Sequence, residues 1–356
     1  MRTLSASAAV ALVLVSSAAK ASQINTGGET GAYQTTFCPR LEEALHKNKF
    51  DYQCTPSEGS RENIQRSVAD PSQIGYSQLD IFMLEAENLG RNDLYTEIRS
   101  DFARECLFMV TRNRQLTSFG QIATAAGQLR FVLPPAKSGS AGTFEFLQRI
   151  DPEGLGMAQE ISYADSTDDA INQALSADDL ITLFVQFPDP GNARFKSIAQ
   201  QGGNIIPVID RSILRQEMGG QKIYFAEETE INQPKWHKSA DKVITACTPM
   251  VLFTGAPSLI TDGNLRKDQE DLVRTVQALP VEDMRPKEGF FAKIWKKTKA
   301  LSAQSVEKIV KLSEDAREKA EPMLKDAMDK AKEMTEQAKE QAKELIDNAK
   351  STMQQP

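Results

Sequence analysis

Histidine is almost missing from this chain: His46 and His237 are the only two in 356 residues. No CxxC pair occurs among the four cysteines, so a zinc site or a thioredoxin-like redox centre lacks the ligands to assemble. An excess of positive charge is lacking too. At a formal net charge of -7 the chain has no basic field with which to displace counterions from phosphates, which excludes a general nucleic-acid binder. Long apolar runs are missing beyond the N-terminus, so no later stretch predicts a membrane span. His46 lies in a charged helical pattern and His237 in Trp236-His237-Lys238, neither with a partner suggested by spacing. No activated nucleophile or proton-transfer pair emerges, and the expectation is a non-enzyme with no cofactor and no metal.

What is present begins with an export signal. Met1-Arg2 gives a positive start, Ala8 to Val15 an apolar core, and Ala19-Lys20-Ala21 the small-x-small pattern read by signal peptidase. The apolar stretch falls short of the roughly 20 residues that a permanent span needs. Residues 1–21 are expected to be a cleaved signal peptide, and the remainder to be periplasmic. An even number of cysteines suits that compartment. Cys38, Cys54, Cys106 and Cys247 allow three pairings, of which Cys38–Cys54 with Cys106–Cys247 is favoured over the others and over four buried free thiols. The first would close a 16-residue loop, worth about 3 kcal/mol in the chain-entropy picture. The second would join Leu107 to Val110 with Met250 to Phe253, if these are neighbouring strands.

Hydrophobic residues at 40% suffice for one large core or two smaller ones. Up to about Leu279, short apolar runs alternate with amphipathic ones. Ile74 to Tyr76, Cys106 to Val110, Leu129 to Leu133, Ile181 to Val185, Ile205 to Val208 and Val251 to Thr254 read as strands. Leu41 to His46, Arg61 to Val68, Phe144 to Ile150, Ala170 to Leu175 and Ala193 to Gln200 have helical spacing. Such alternation predicts an α/β fold. After Leu279 the composition changes: Pro280 and Pro286 bracket a linker, and Glu307 to Lys350 is nearly all strong helix formers, interrupted by Pro322, where a kink is expected.

Three junctions combine glycine with hydroxyl residues just before a helical pattern. They are Asn25 to Tyr33, Glu58 to Asn63 with Ser60 as an N-cap, and Lys137 to Thr143. A glycine-rich turn feeding a helix offers backbone N–H groups and a positive dipole end to an anion. The first departs from P-loop and dinucleotide spacings, so nucleotide binding does not follow. Ordinary helix capping explains any one of the three, though not their recurrence.

The order Thr26-Gly27-Gly28, Thr30-Gly31-Ala32-Tyr33, Gly59-Ser60, Glu62-Asn63, Gln78-Leu79-Asp80 and Gly139-Ser140-Ala141-Gly142-Thr143 resembles the TAXI family of TRAP-transporter solute-binding proteins. That resemblance implies a two-lobed type II periplasmic-binding fold, to which the change of composition after Leu279 adds a long C-terminal helical extension. Lobe one would comprise residues 22–108 and 242–279, lobe two residues 109–241, a linker residues 280–289 and a helical tail residues 290–356. It also implies capture of a small carboxylate or amino acid, glutamate-like, for delivery to a TRAP-type membrane permease. Ligand contacts carried over are Gly28, Thr30, Gly31, Tyr33, Ser60, Asn63, Gln78, Ser140 and Thr143, with Gln186 as a further candidate. Arg61, Arg112 and Lys137 are candidate countercharges, while Glu29, if it faced the cleft, would oppose an anionic ligand.

The tail is outside the resemblance. Ala331, Ala338, Ala342, Leu345 and Ala349 fall near a and d positions of a coiled-coil heptad, which suits self-association. Phe290, Phe291, Ile294, Trp295 and Leu301 with four lysines make a basic amphipathic start that could lie on a membrane surface, or dock on a lobe by its aromatics. An alternative function is accordingly a periplasmic sensory or envelope interaction protein that uses the ligand-binding fold together with this tail.

Overall fold

The computed structural model describes residues 21–90, 93–233, 239–285 and 303–322. Residues 1–20 of the expected signal peptide, His237, the aromatic start of the tail and its heptad-like end lie outside those residues.

Lobe one opens with three strand–helix units. β1 (Ser22–Asn25) enters the glycine-rich loop, a π-helical turn over Tyr33–Phe37 and α1 (Cys38–Lys47). β2 (Tyr52–Thr55) precedes α2 (Ser60–Ala69), and β3 (Ile74–Gln78) precedes α3 (Leu79–Asn88) and β4 (Tyr95–Arg99). β5 (Arg104–Thr111) then crosses to lobe two, built from α4 (Phe119–Ala125), β6 (Arg130–Leu133), α5 (Gly139–Ile150), β7 (Glu160–Tyr163), α6 (Thr167–Ala174), β8 (Leu180–Gln186), α7 (Ala193–Gln200) and β9 (Asn204–Pro207). After α8 (Arg211–Leu214), the hairpin β10 (Glu217–Met218) and β11 (Gln221–Lys222), and β12 (Phe225–Glu230), the long β13 (Lys242–Gly255) returns to lobe one. There α9 (Gly263–Ala278) and α10 (Val281–Met284) complete it.

Both lobes repeat one strand order. Lobe one runs β2-β1-β3-β13-β4 and lobe two β7-β6-β8-β5-β9; in each, three parallel strands are followed by one antiparallel strand supplied by the crossover. β5 and β13 pass between the lobes side by side, Cys106 opposite Cys247 and Arg104 opposite Pro249. This is a two-lobed α/β arrangement, its lobes joined by two crossing strands. Both cysteine pairs are disulfides, Cys38–Cys54 within lobe one and Cys106–Cys247 across the two crossing strands.

Each lobe has its own core. Leu107, Phe131, Phe144, Leu183 and Ile206 centre lobe two, while Ile24, Leu41, Tyr76, Leu252 and Leu272 centre lobe one. β5 serves two clusters by its period of two: Leu107 and Met109 face one side, Cys106, Phe108 and Val110 the other. Residues 281–284, within the stretch expected as linker, form α10, whose Met284 is buried in the lobe-one core. The described part of the tail, helix α11 over residues 303–322, lies on lobe two. Its described contacts are ionic rather than aromatic: Arg211 pairs with Glu307 at 2.7 Å and Glu314 at 2.9 Å, and Arg317 with Asp151 at 3.0 Å, around the buried Val310.

Candidate functional site

Parallel strands present their carboxyl ends at one edge of a sheet, and binding crevices form outside such edges. Here the edges of the two lobes face each other across a cleft of about 830 Å³. The loops after β1 and β2 and the last residue of β3 line it from lobe one, the loops after β6, β7 and β8 from lobe two.

Of the expected contacts, Gly28, Thr30, Gly31, Tyr33, Ser60, Gln78, Ser140 and Gln186 line this cleft. Asn63 and Thr143 do not; both are fully buried behind its walls and are corrected to structural roles. Asn63 Nδ2 donates to the carbonyls of Thr26 at 2.5 Å and Tyr76 at 2.8 Å, tying the start of the glycine-rich loop to β3. Thr143 donates to Asp80 Oδ2 at 2.7 Å, where the Tyr224 hydroxyl also donates at 2.8 Å. Asp80 belongs to lobe one and both donors to lobe two, so this carboxylate is an interlobe tie. Its burial pushes its carboxyl up to about 6, against the lowering by these two hydroxyls.

The candidate countercharges are also placed elsewhere. Arg61 is held by Glu85 at 3.0 Å and by Glu145, Lys137 by Glu58 at 3.3 Å and Arg112 by Asp178 at 3.8 Å, and none of the three lines the cleft. Glu29 is exposed and is not part of the lining either.

The lobes approach most closely where glycine permits it. A Cβ on Gly139, at the start of α5, would lie 1.7 Å from Gln78 Oε1. Gly59 has φ +135°, a conformation open essentially to glycine, and a Cβ there would meet the Ser138 backbone at 3.0 Å. Beside these contacts the first turn of α2 has no side-chain cap, unlike α5, α6 and α7, whose first turns are capped by Ser138, Ser166 and Asn192, and unlike α3, where the Asp80 carboxylate accepts from the Ile81 amide at 2.9 Å. Uncapped N-terminal N–H groups are donors suited to a carboxylate. Ser60 Oγ donates to Gln78 Oε1 at 3.3 Å, which orients the Gln78 amide at the same corner.

The crossover and lobe two bring acid to the cleft. Glu105, Asp165, Asp168 and Asp189 line it, against one guanidinium, that of Arg194, which Asp168 engages at 2.7 Å, and Glu58 beside Gly59 adds a lobe-one carboxylate held by Lys137. Glu105 projects from the crossover strand β5 and is 7% exposed. It accepts a hydrogen bond from the Tyr33 hydroxyl, whose ring stacks on Tyr76 at 5.3 Å. Burial pushes the Glu105 carboxyl up to about 8; the Tyr33 bond lowers it and the charge of Asp80 raises it further. Burial likewise raises Asp189 above the usual carboxylate range, against a hydrogen bond from the Gly191 amide. Neither Cys-Glu group that could otherwise hold a cation is available, because its cysteines are disulfide-bonded.

These carboxylates were not legible as site residues. Glu105 carried one signal, an acid directly abutting the apolar run Cys106 to Val110. Asp165, Asp168 and Asp189 read as ordinary loop and first-turn residues.

No family model matches the chain, and no curated protein matches it. Among solved structures it is similar to a periplasmic transporter at 8% identity and a TM-score of 0.42, covering 87% of this chain and 97% of that one. An ABC-type phosphate transport receptor from Vibrio cholerae matches at 12% identity, TM-score 0.40, with 74% and 96% covered. The GluR0 ligand-binding core in complex with L-glutamate matches at 8%, TM-score 0.38, with 75% and 97% covered. The ligands of those names belong to those proteins.

Proposed function

We propose that this chain is an exported solute-binding protein of the TAXI type, which captures a small carboxylate or amino acid between its lobes and delivers it to a TRAP-type membrane permease. The observation that carries the reading is the convergence of strand ends from two like-ordered lobes on one cleft, with the uncapped turn of α2 and the Gln78 amide at a single corner. A ligand carboxylate is received at that corner, and Tyr33 packs against the ligand body. What the cleft offers, backbone donors, amides and carboxylates, recognises charge and shape, as binding without catalysis requires. Two disulfides support an extracytoplasmic location, because such bonds persist in oxidising compartments. Among the described residues, no helix is long and apolar enough to cross a membrane.

Native mass spectrometry of protein purified without refolding tests the reading. A co-purifying small molecule is expected, and adding it at 100 times its dissociation constant should stabilise the fold by about 2.7 kcal/mol. If no molecule co-purifies and no amino acid or small carboxylate raises the melting temperature, capture of such a solute is ruled out. The tail is tested separately by deleting residues from Pro286 onward: unchanged ligand binding with loss of a membrane or protein partner would favour the sensory or envelope role.

A further inference from the structure

Two lobes joined by a pair of crossing strands can swing only where nothing else binds them together. Here something does. Helix α3 of lobe one packs along α5 of lobe two, and Leu84 of α3 is fully buried in the cluster that centres lobe two. A Cβ on Gly142 of α5 would lie 2.7 Å from Ile81 Cδ1, so the two helices meet where one of them has no side chain. Asp80 is fully buried at the same join, with the Thr143 and Tyr224 hydroxyls on its carboxylate. An ionic rim borders this centre: Arg61 reaches both Glu85 and Glu145, Arg149 engages Glu87 at 3.1 Å, and Lys137 engages Glu58 at 3.3 Å. A desolvated apolar centre within a polar rim is the anatomy of a lasting interface, and every contact in it runs from protein to protein.

The wall away from that seam is made differently. A cavity of about 330 Å³ opens there, sharing Thr30, Asp168, Asn192 and Arg194 with the main cleft and none of the seam residues. Thr30 stands on its lobe-one side and the Asp168–Arg194 pair on its lobe-two side. Among the described residues, no hydrogen bond or ion pair joins residues 27–32 to residues 163–168 or 189–194. We propose that the lobes are fixed to each other along the α3–α5 seam, and that solute enters the cleft by a port between the glycine-rich loop and the first turns of α6 and α7, without a swing about the crossing strands. The width of that port is set by a loop and not by the separation of the lobes. The seam stands on its own contacts, while the port rests on the solute-capture reading.

Both parts are tested on the purified chain. The native cysteines of the described residues are all disulfide-bonded, so spin labels on Lys47→Cys and Asp178→Cys, exposed residues of lobe one and lobe two, report the distance between the lobes. Double electron–electron resonance should give a single narrow distribution at the separation seen in the structure, the same without additive and with millimolar L-glutamate, L-glutamine or succinate. A distribution centred at longer distance, or a longer population that shrinks on adding any of the three, overturns the fixed seam. For the port, Ser60→Cys in the cleft wall is labelled with a small methanethiosulfonate reagent, and Thr30→Trp should slow that labelling about tenfold. Should Thr30→Trp fail to fold, judged by its melting curve, Asp168→Trp carries the test with the same expected slowing. Unchanged labelling in a folded plugged variant overturns the port. None of these outcomes touches solute capture itself, which the co-purifying molecule decides.

Discussion

Lobe one and lobe two share a strand order but bring opposite chemistry to the space between them. From lobe one come glycine-rich backbone, the Ser60 hydroxyl, the Gln78 amide, the uncapped first turn of α2 and a single carboxylate, Glu58, held by Lys137. The crossover and lobe two contribute Glu105, Asp165, Asp168 and Asp189, and cap their own helices with Ser138, Ser166 and Asn192. Strand order decides which loops meet, because parallel strands deliver all their carboxyl ends to one edge. The residues within those loops decide the sign of what they offer.

The comparison is broken most severely at the crossover. The Cys106–Cys247 bond closes a loop of 141 residues and Cys38–Cys54 one of 16, so the chain-entropy picture gives about 5 kcal/mol for the first and about 3 kcal/mol for the second. Chemical denaturation of Cys106→Ser/Cys247→Ser and Cys38→Ser/Cys54→Ser should reproduce that order. The first variant should also loosen the registration of the lobes, the second only lobe one.

A smaller effect is expected at the point of closest approach. Gly59→Ala forces a side chain into a glycine-only conformation against the Ser138 backbone, costing about 1–3 kcal/mol, measured by thermal melting. Gly139→Ala meets the movable end of the Gln78 side chain instead. It should spare stability and weaken ligand binding, because the Gln78 amide is displaced from its bond with Ser60.

A further effect is one of pH. Burial raises Asp80 to about 6 and Glu105 to about 8, so the folded protein holds more protons than the unfolded chain between the ordinary carboxylate range and those values. The unliganded protein should therefore lose stability as pH rises from about 4 to about 8, with melting temperature falling by at least roughly 2 °C. In Glu105→Gln the part of the fall between pH 6 and pH 8 should disappear. A melting temperature that rises over that range in the wild type would contradict the buried acidic end.

Much of this was readable in the residues because period and punctuation agreed. Ile74 to Tyr76, Cys106 to Val110 and Ile181 to Val185 are apolar runs bounded by polar residues, and all three are strands. The length of β13 was not readable beyond Val251 to Thr254: Pro249, which lacks an N–H, interrupts the run at the point where the strand passes from one sheet to the other. Helix α9 escaped notice because its apolar face is narrow, with Leu272 and Val276 buried amid charged residues. Eight of the ten expected contacts lie on the cleft because strand-end loops are local features. Asn63 and Thr143 were misplaced since a polar residue in a first helical turn faces either the ligand or the wall behind it, and only packing decides. The acidic end was illegible for a related reason: it is assembled from single residues on β5 and on the loops after β7 and β8.

Hydrogen–deuterium exchange with and without the co-purified or best-binding solute tests the interlobe site most directly. Protection is predicted to concentrate in residues 27–36, 57–60, 135–140, 163–168 and 185–189, drawn from both lobes at once. Protection confined to one lobe, or to α11 and the outer face it covers, would contradict the account.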